Sequence, residues 1–398
     1  ATLGTRVDNL EGRVGFLEDN QFSTTTKLSG SVVFLSAASF GDNDHDGNLA
    51  GTDTDSNPGF VYDAVLDFEA SFTGRDELKV SLQSANFGDF ADAGTGVEDA
   101  ALDNDENTGN SFEMEDLIYS YPFGDRIQVE IGALDFDPDS AFDYSYGSGA
   151  TLSDFTIDGE EALTDGTGSE DDVGISTNIN LTDRISFGVG YTTQEDNATD
   201  ADSGLFQRYS AAAGLNYAGD NFDVGIGYNL TQTTGDKTII ADEIDNTIGS
   251  AALFDDTTQN AIGARGAARL GSRTEIGGFV EYINIDATSH GDATNSPDLD
   301  LDTEGWSFGA NLAFFDIGKE GSTLGIAFAS RAFFDDADFD GGTVTLQDDR
   351  TYLAEVSYDF PVNDNISITP GLVAVFNADN DSDNDTIYVG VVRTSFSF

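Results

Sequence analysis

Hydrophobic and polar residues follow two different periods along this chain. Near the start, Leu3, Val7, Leu10, Val14 and Leu17 recur at alternating spacings of four and three. That is the seam of a coiled-coil helix, flanked by Glu11, Arg13 and Glu18. A helix of this length reaches about 25 Å at ~1.5 Å per residue and is marginal alone. It either pairs with other copies or docks on the protein's own surface, and Gly4, Gly12 and Gly15 weaken both versions. After Gln21 the period becomes two. Tyr62, Ala64, Leu66, Phe68, Ala70 and Phe72 oppose Asp63, Val65, Asp67, Glu69 and Ser71. Phe222, Val224, Ile226, Tyr228 and Leu230 oppose Asp223, Gly225, Gly227 and Asn229, and Trp306, Phe308, Ala310, Leu312 and Phe314 repeat the pattern. Most such runs last about ten to thirteen residues, whereas ordinary strands average ~5–6 and a tilted strand crossing a bilayer needs ~9–11.

The connections alternate in length. Seven are tight: 73–75, 123–125, 181–183, 219–220, 271–272, 316–321 and 361–365. Eight are long and acidic: 39–59, 88–110, 136–171, 195–205, 233–256, 287–302, 335–349 and 378–384. This predicts sixteen antiparallel strands in a closed barrel, with short turns at one end and long loops at the other. A soluble all-β protein has no reason to segregate connection lengths in this way. Aromatics cluster on the apolar phase beside the short turns, at Phe72, Tyr121, Tyr217, Phe314 and Phe360. The final strand ends on Phe398 in the same phase, as an interfacial girdle requires.

Composition removes several function classes. The chain has 398 residues, no cysteine, and 74 acidic against 16 basic residues, for a formal net charge of -58. A phosphate backbone needs a basic surface, so nucleic acid is excluded as a partner. With no cysteine there is no disulfide framework and no thiolate site. The two histidines, His45 and His290, lie in Asp/Gly-rich stretches and support no catalytic constellation, so no enzyme is expected. No apolar run reaches the ~18 residues of a membrane-crossing helix. The chain does not open on a basic n-region followed by an apolar h-region, so its start reads as that of a processed or trimmed product. The mean hydropathy of -0.27 is compatible with a barrel whose two faces average out. Acid spread over every exposed face would suggest a halophile, but here it collects between the patterned segments.

The run RVDNLEGRVGFLEDNQFSTTTKLSGSVVF resembles the linker and first strand of the cyanobacterial SLH-type outer-membrane porins, related to OprB-like porins and often labelled iron-uptake porins. The likeness is specific from Val7 to Phe34 and rests on the strand-and-loop plan beyond. It implies a periplasmic coiled-coil linker at 1–21, a transmembrane barrel at 22–398, and periplasmic N- and C-termini. It also implies a homotrimer, although Val and Leu at the seam positions favour two strands. In the family an SLH domain ahead of the linker binds peptidoglycan. No SLH-like stretch lies within this sequence.

The barrel reading fixes which side chains meet water. Alternation places Lys79, Arg126, Arg208, Arg265, Arg269, Arg331 and Arg393 in the lumen, with Asp63, Asp67, Glu69, Glu130, Glu275, Glu281 and Glu355. A lone charge facing mid-bilayer costs ~2–4 kcal/mol. The arginines of the later strands, Arg265, Arg269 and Arg331 above all, are expected to face acids of the early strands and set up a transverse field. Arg126, Arg273 and Lys319 read instead as solvated anchors near the turns. The third long loop, 136–171, carries Asp154 and Asp158 and is expected to fold inward as a constriction, as in general porins. Asp42, Asp44, Asp46 and Gly47, with Asp53 closing, match a calcium-loop spacing, though no helices flank it. An ordered Ca²⁺ there is the one cofactor candidate, against a solvated acidic rim. The expected function is passive, size- and charge-filtered diffusion of inorganic ions and small polar solutes across the outer membrane. A carbohydrate-selective channel is the alternative, and it would need aromatic rails along the lumen. A secreted, calcium-stabilised all-β binding protein is the alternative from another class.

Overall fold

The computed structural model describes residues 26–41, 55–90, 92–103, 106–137, 141–142, 147–159, 161–164, 172–200, 204–234, 256–289, 299–339, 342–347 and 349–398. The coiled-coil segment and the calcium-loop aspartates Asp42, Asp44, Asp46 and Asp53 lie outside these residues. The barrel runs through β1 (Thr26–Phe40), β2 (Val61–Ala70), β3 (Glu77–Ala85), β4 (Glu113–Phe123), β5 (Ile127–Gly132), β6 (Asp172–Asn180), β7 (Ile185–Gln194) and β8 (Arg208–Ala218). It continues through β9 (Phe222–Thr234), β10 (Asp256–Arg269), β11 (Thr274–Ser289), β12 (Leu299–Phe315) and β13 (Thr323–Phe339). A four-residue strand, β14 (Gly342–Thr345), only lengthens a loop, and β15 (Tyr352–Asn363), β16 (Ile366–Phe376) and β17 (Ile387–Ser397) complete the wall. Every pairing is antiparallel between chain neighbours, β13 pairs with β15 past β14, and β17 pairs back onto β1. The result is a closed ring of sixteen strands with no free edge.

The period-two pattern decides which face each residue takes. Trp306 is 48% exposed, and Leu312, Ile326, Phe328 and Val356 are exposed on the same outward phase. Their neighbours Ser307, Asn311, Ala327 and Glu355 are buried inward. An outward face of this kind suits hydrocarbon, because ladder pairing satisfies the backbone polar groups of a barrel wall. Phe398 shows how the ring closes. Its backbone exchanges two hydrogen bonds of 3.0 Å with Gly30 of β1. Its ring lies over that glycine, where an added Cβ would meet it at 2.8 Å. Phe72, Tyr121 and Phe123 are exposed around the same rim. At the opposite rim Tyr282 and Trp306, Phe328 and Tyr352, and Phe40 and Tyr388 form contacting pairs with centroids 4.8, 5.6 and 5.8 Å apart.

The short turns are laced together by cations. Arg75 donates to the Gly124 carbonyl at 2.6 Å and reaches Asp125 in the next turn. Arg126 donates to the Leu181 carbonyl one turn further on, and Arg184 pairs with Asp220 at 2.7 Å in the turn after that. Lys319 donates to the Pro361 carbonyl and lies 4.4 Å from the Phe360 ring centroid. Asp76 organises its own turn: one carboxylate oxygen accepts from the Phe72 and Thr73 amides and from the Ser71 and Thr73 hydroxyls. The other accepts from the Tyr119 hydroxyl at 2.9 Å.

Strand boundaries differ from expectation on one side of the barrel. β11, β12 and β13 contain 16, 17 and 17 residues, extending into segments whose acidity reads as loop. Asp286, Asp302 and Asp338 stand side by side in register there and point outward. Acid above the apolar belt is solvated and does not break a ladder, so composition misplaces these strand ends.

Candidate pore constriction

The third long loop enters the barrel and follows its inner wall. Ala141 lies against β7, where a Cβ at Gly188 would collide with its carbonyl. Further on, the Ser148 amide and hydroxyl donate to Glu275 of β11 at 2.9 and 2.8 Å. The Gly149 amide donates to Asn311 of β12 at 3.1 Å. The loop's far point is Glu355 of β15, only 2% exposed. It accepts from the amides of Thr151, Leu152 and Ser153 and from the Thr156 hydroxyl, at 2.7–3.1 Å. Leu152 beside it fills the space that a side chain at Gly371 would need. The loop then turns back, and the Asn229 amide of β9 donates to the Ala162 and Leu163 carbonyls. Each wall contact lies on the inward phase, so inward glycines and small residues let the backbone lie close to the wall.

A second loop joins it. Between β3 and β4, Phe87, Ala93, Val97, Ala100, Ala101 and Leu102 pack with Leu152 and Phe155 of the third loop. The same cluster includes Leu35, Leu353, Val373, Val375, Ile387 and Val389 from the inward faces of β1 and β15–β17. The long-loop half of this wall is therefore packed apolar core. The two loops also share backbone hydrogen bonds: the Asp103 amide donates to the Leu152 carbonyl at 2.9 Å and the Asp154 amide to the Ala101 carbonyl at 3.4 Å. Arg331 of β13 joins both loops, with its guanidinium 3.0 Å from Asp99, 3.4 Å from Glu98 and 3.9 Å from the Phe155 ring centroid. Asp99, 3% exposed, also accepts from the Asp379 amide of the last long loop at 2.6 Å. Arg393 of β17 pairs with Asp103 at 2.9 Å.

The remaining charged positions fall into separate groups. On β2–β4, Lys79 lies 2.5 Å from Asp116 and 3.9 Å from Asp67. Asp67 accepts from the Ser81 hydroxyl at 2.6 Å, Asp63 from the Gln83 amide at 3.2 Å, and Glu69 stands opposite Lys79 in the ladder. On β10–β12, Arg269 pairs with Glu275 at 2.8 Å and stacks on Phe315. Glu281 is buried beneath the Ser307 hydroxyl at 2.9 Å. Arg265 faces Phe279 across the ladder. Arg208 donates to Gln194 at 2.8 Å, and Gln194 is itself opposite Asp172. Asp154 begins a short helix, Asp154–Asp158; the Asp158 side chain lies outside the described residues.

Three arginines of the expected transverse field have their nearest carboxylates elsewhere: Arg331 and Arg393 meet acids of the second loop, and Arg269 meets the acid of the neighbouring strand. Glu98, Asp99 and Asp103 are not legible as pairing partners from the acidity of the second loop alone. The signal was present in the apolar residues Phe87, Phe90, Val97, Ala100 and Leu102, which a fully solvated loop does not need.

Comparison with known proteins agrees with this geometry. The sequence profile described as carbohydrate-selective porin, OprB family, matches residues 1–275 and 287–398. An uncharacterized protein of Nostoc sp. is 30% identical over 429 residues, covering 100% of this chain and 70% of its own length. The solved structure of Pseudomonas putida OprB aligns at TM-score 0.61 and 13% identity, over 98% of this chain and 97% of that one. An anion-selective porin from Comamonas acidovorans aligns at TM-score 0.57 and 14% identity, over 94% and 99%.

Proposed function

This chain belongs to the carbohydrate-selective OprB porin family and is an outer-membrane porin, and we propose that it passes inorganic ions and small polar solutes by passive diffusion, filtered by size and charge. The observation that carries this reading is the pair of loops fixed to the inward wall, which narrows the lumen while its strands keep polar side chains inside. A carbohydrate-selective channel is supported less well. Sugars need open aromatic faces, whereas four of the described aromatics on the inward wall and its loops, Phe87, Phe136, Phe155 and Phe279, are buried in packing. The reading extends to a homotrimer with both termini on the periplasmic, short-turn side. It also extends to a peptidoglycan link through an SLH domain ahead of the coil, as the family resemblance implies. The calcium loop remains a proposal of the sequence spacing. Proteoliposome swelling tests the main point. Swelling rates should fall smoothly with solute mass from small amino acids to disaccharides, with no sugar faster than its size allows. A saturable, sugar-specific rate would favour the carbohydrate reading instead.

A further inference from the structure

We infer that the passage prefers cations over anions, an inference that rests on the diffusion-channel reading above. It follows from where the positive charges are used. Three of the inward arginines are compensated: Arg331 by Glu98 and Asp99, Arg393 by Asp103 and Arg269 by Glu275, each with a carboxylate within 3.4 Å. A guanidinium paired at such distance projects little field beyond a Debye length of ~8–10 Å. The compensating acids of Arg331 and Arg393 come from the second loop. Folding that loop inward therefore cancels the cations of β13 and β17.

The wall formed by β2–β4 has the opposite balance. Lys79 is its one inward cation, held between Asp116 and Asp67. Two carboxylates around one ammonium leave negative charge over, and Glu69, opposite Lys79 on one side and Lys27 of β1 on the other, makes three carboxylates against two ammoniums. Asp67 and Lys79 keep 26% and 38% of their side-chain surface open, so the surplus is presented to water and not sealed in the wall. Next along the ring, Glu130 of β5 accepts from the neutral Ser120 hydroxyl at 2.8 Å. Low-dielectric walls focus this uncompensated charge along the passage, raising the local concentration of cations and lowering that of anions. The solute class is small inorganic cations, with small cationic organic solutes behind them.

The test is the zero-current potential of purified full-length protein in planar bilayers under a KCl gradient. Wild type should show K⁺ preference. Asp67→Asn combined with Glu69→Gln should lower the K⁺/Cl⁻ permeability ratio by at least ~2-fold. Asp103→Asn should move it in the same direction by a different route, because it leaves Arg393 without its carboxylate; this single change on a loop spares the strands. Heat-modifiable mobility on gels confirms that each variant is a folded barrel. Chloride preference in wild type, or a ratio that neither variant changes, overturns the inference while leaving the channel reading intact. Absence of any conductance would sink the channel reading first.

Discussion

Five hydrogen bonds converge on the Glu355 carboxylate, three from consecutive backbone amides of the third loop. Bonds to a charged acceptor are each worth ~1.5–3 kcal/mol, and the buried site offers these donors no water as a substitute. The loop's far point is thus held chiefly by one side chain, with Ser357 of the same strand adding a bond from the Thr151 hydroxyl at 2.8 Å. Glu355→Gln keeps the volume but turns a donor towards the amides. It should free the loop at a cost of ~2–4 kcal/mol without opening the sixteen-stranded ring. Limited proteolysis with proteinase K in detergent checks this: cleavage within 147–156 should appear in the variant, with heat-modifiable mobility retained. Equal protection in both forms would show that Glu355 is dispensable. Arg331 is the second such residue, since it joins β13 to both inward loops.

Elements carry the stability of the two barrel ends in different ways. Asp76 shows this for a turn. Its carboxylate accepts hydrogen bonds from Thr73 first of all, together with Tyr119 and Ser71, and these hold it well below the usual carboxylate range. A depressed value means that the stabilisation is complete above the unfolded carboxylate's 3.8 and is lost only as pH falls through the lower folded value. Wild-type thermal stability should therefore stay level on this account from pH 8 to about 5, where the unfolded carboxylate is also ionised. Asp76→Asn should lower stability throughout that range. The gap between the two should narrow only below about pH 4. A gap that already closes at pH 6 would rule out the carboxylate as its source. Strand phase and turn positions were legible in the sequence because a wall between lipid and water enforces alternation at every step, as in Trp306 to Leu312. The ends of β11–β13 were not, because Asp286 and Asp302 are as content outward on a protruding strand as in a loop. The third loop's path was expected from resemblance. That of the second was hidden because its acids, Asp99 and Asp103, read as solvent-facing until Arg331 and Arg393 are placed opposite them.

At the scale of the whole molecule, the barrel is a fixed wall and the loops decide what passes. Apolar packing seals one side of the lumen between β1, β15–β17 and the second loop. Close backbone packing against β7 and hydrogen bonds to β9, β11, β12 and β15 seat the third loop. The passage left over is bounded by the charged wall of β2–β4. The most direct measurement is single-channel current in planar bilayers, comparing wild type with a chain in which residues 88–109 are replaced by a short Gly-Ser link. Wild type should give discrete steps that grow in proportion to salt, and the shortened chain should give larger ones, because the dry cluster around Leu102 no longer fills its side of the lumen. No steps in wild type, or steps of the same size in both, would contradict a water-filled passage narrowed by that loop.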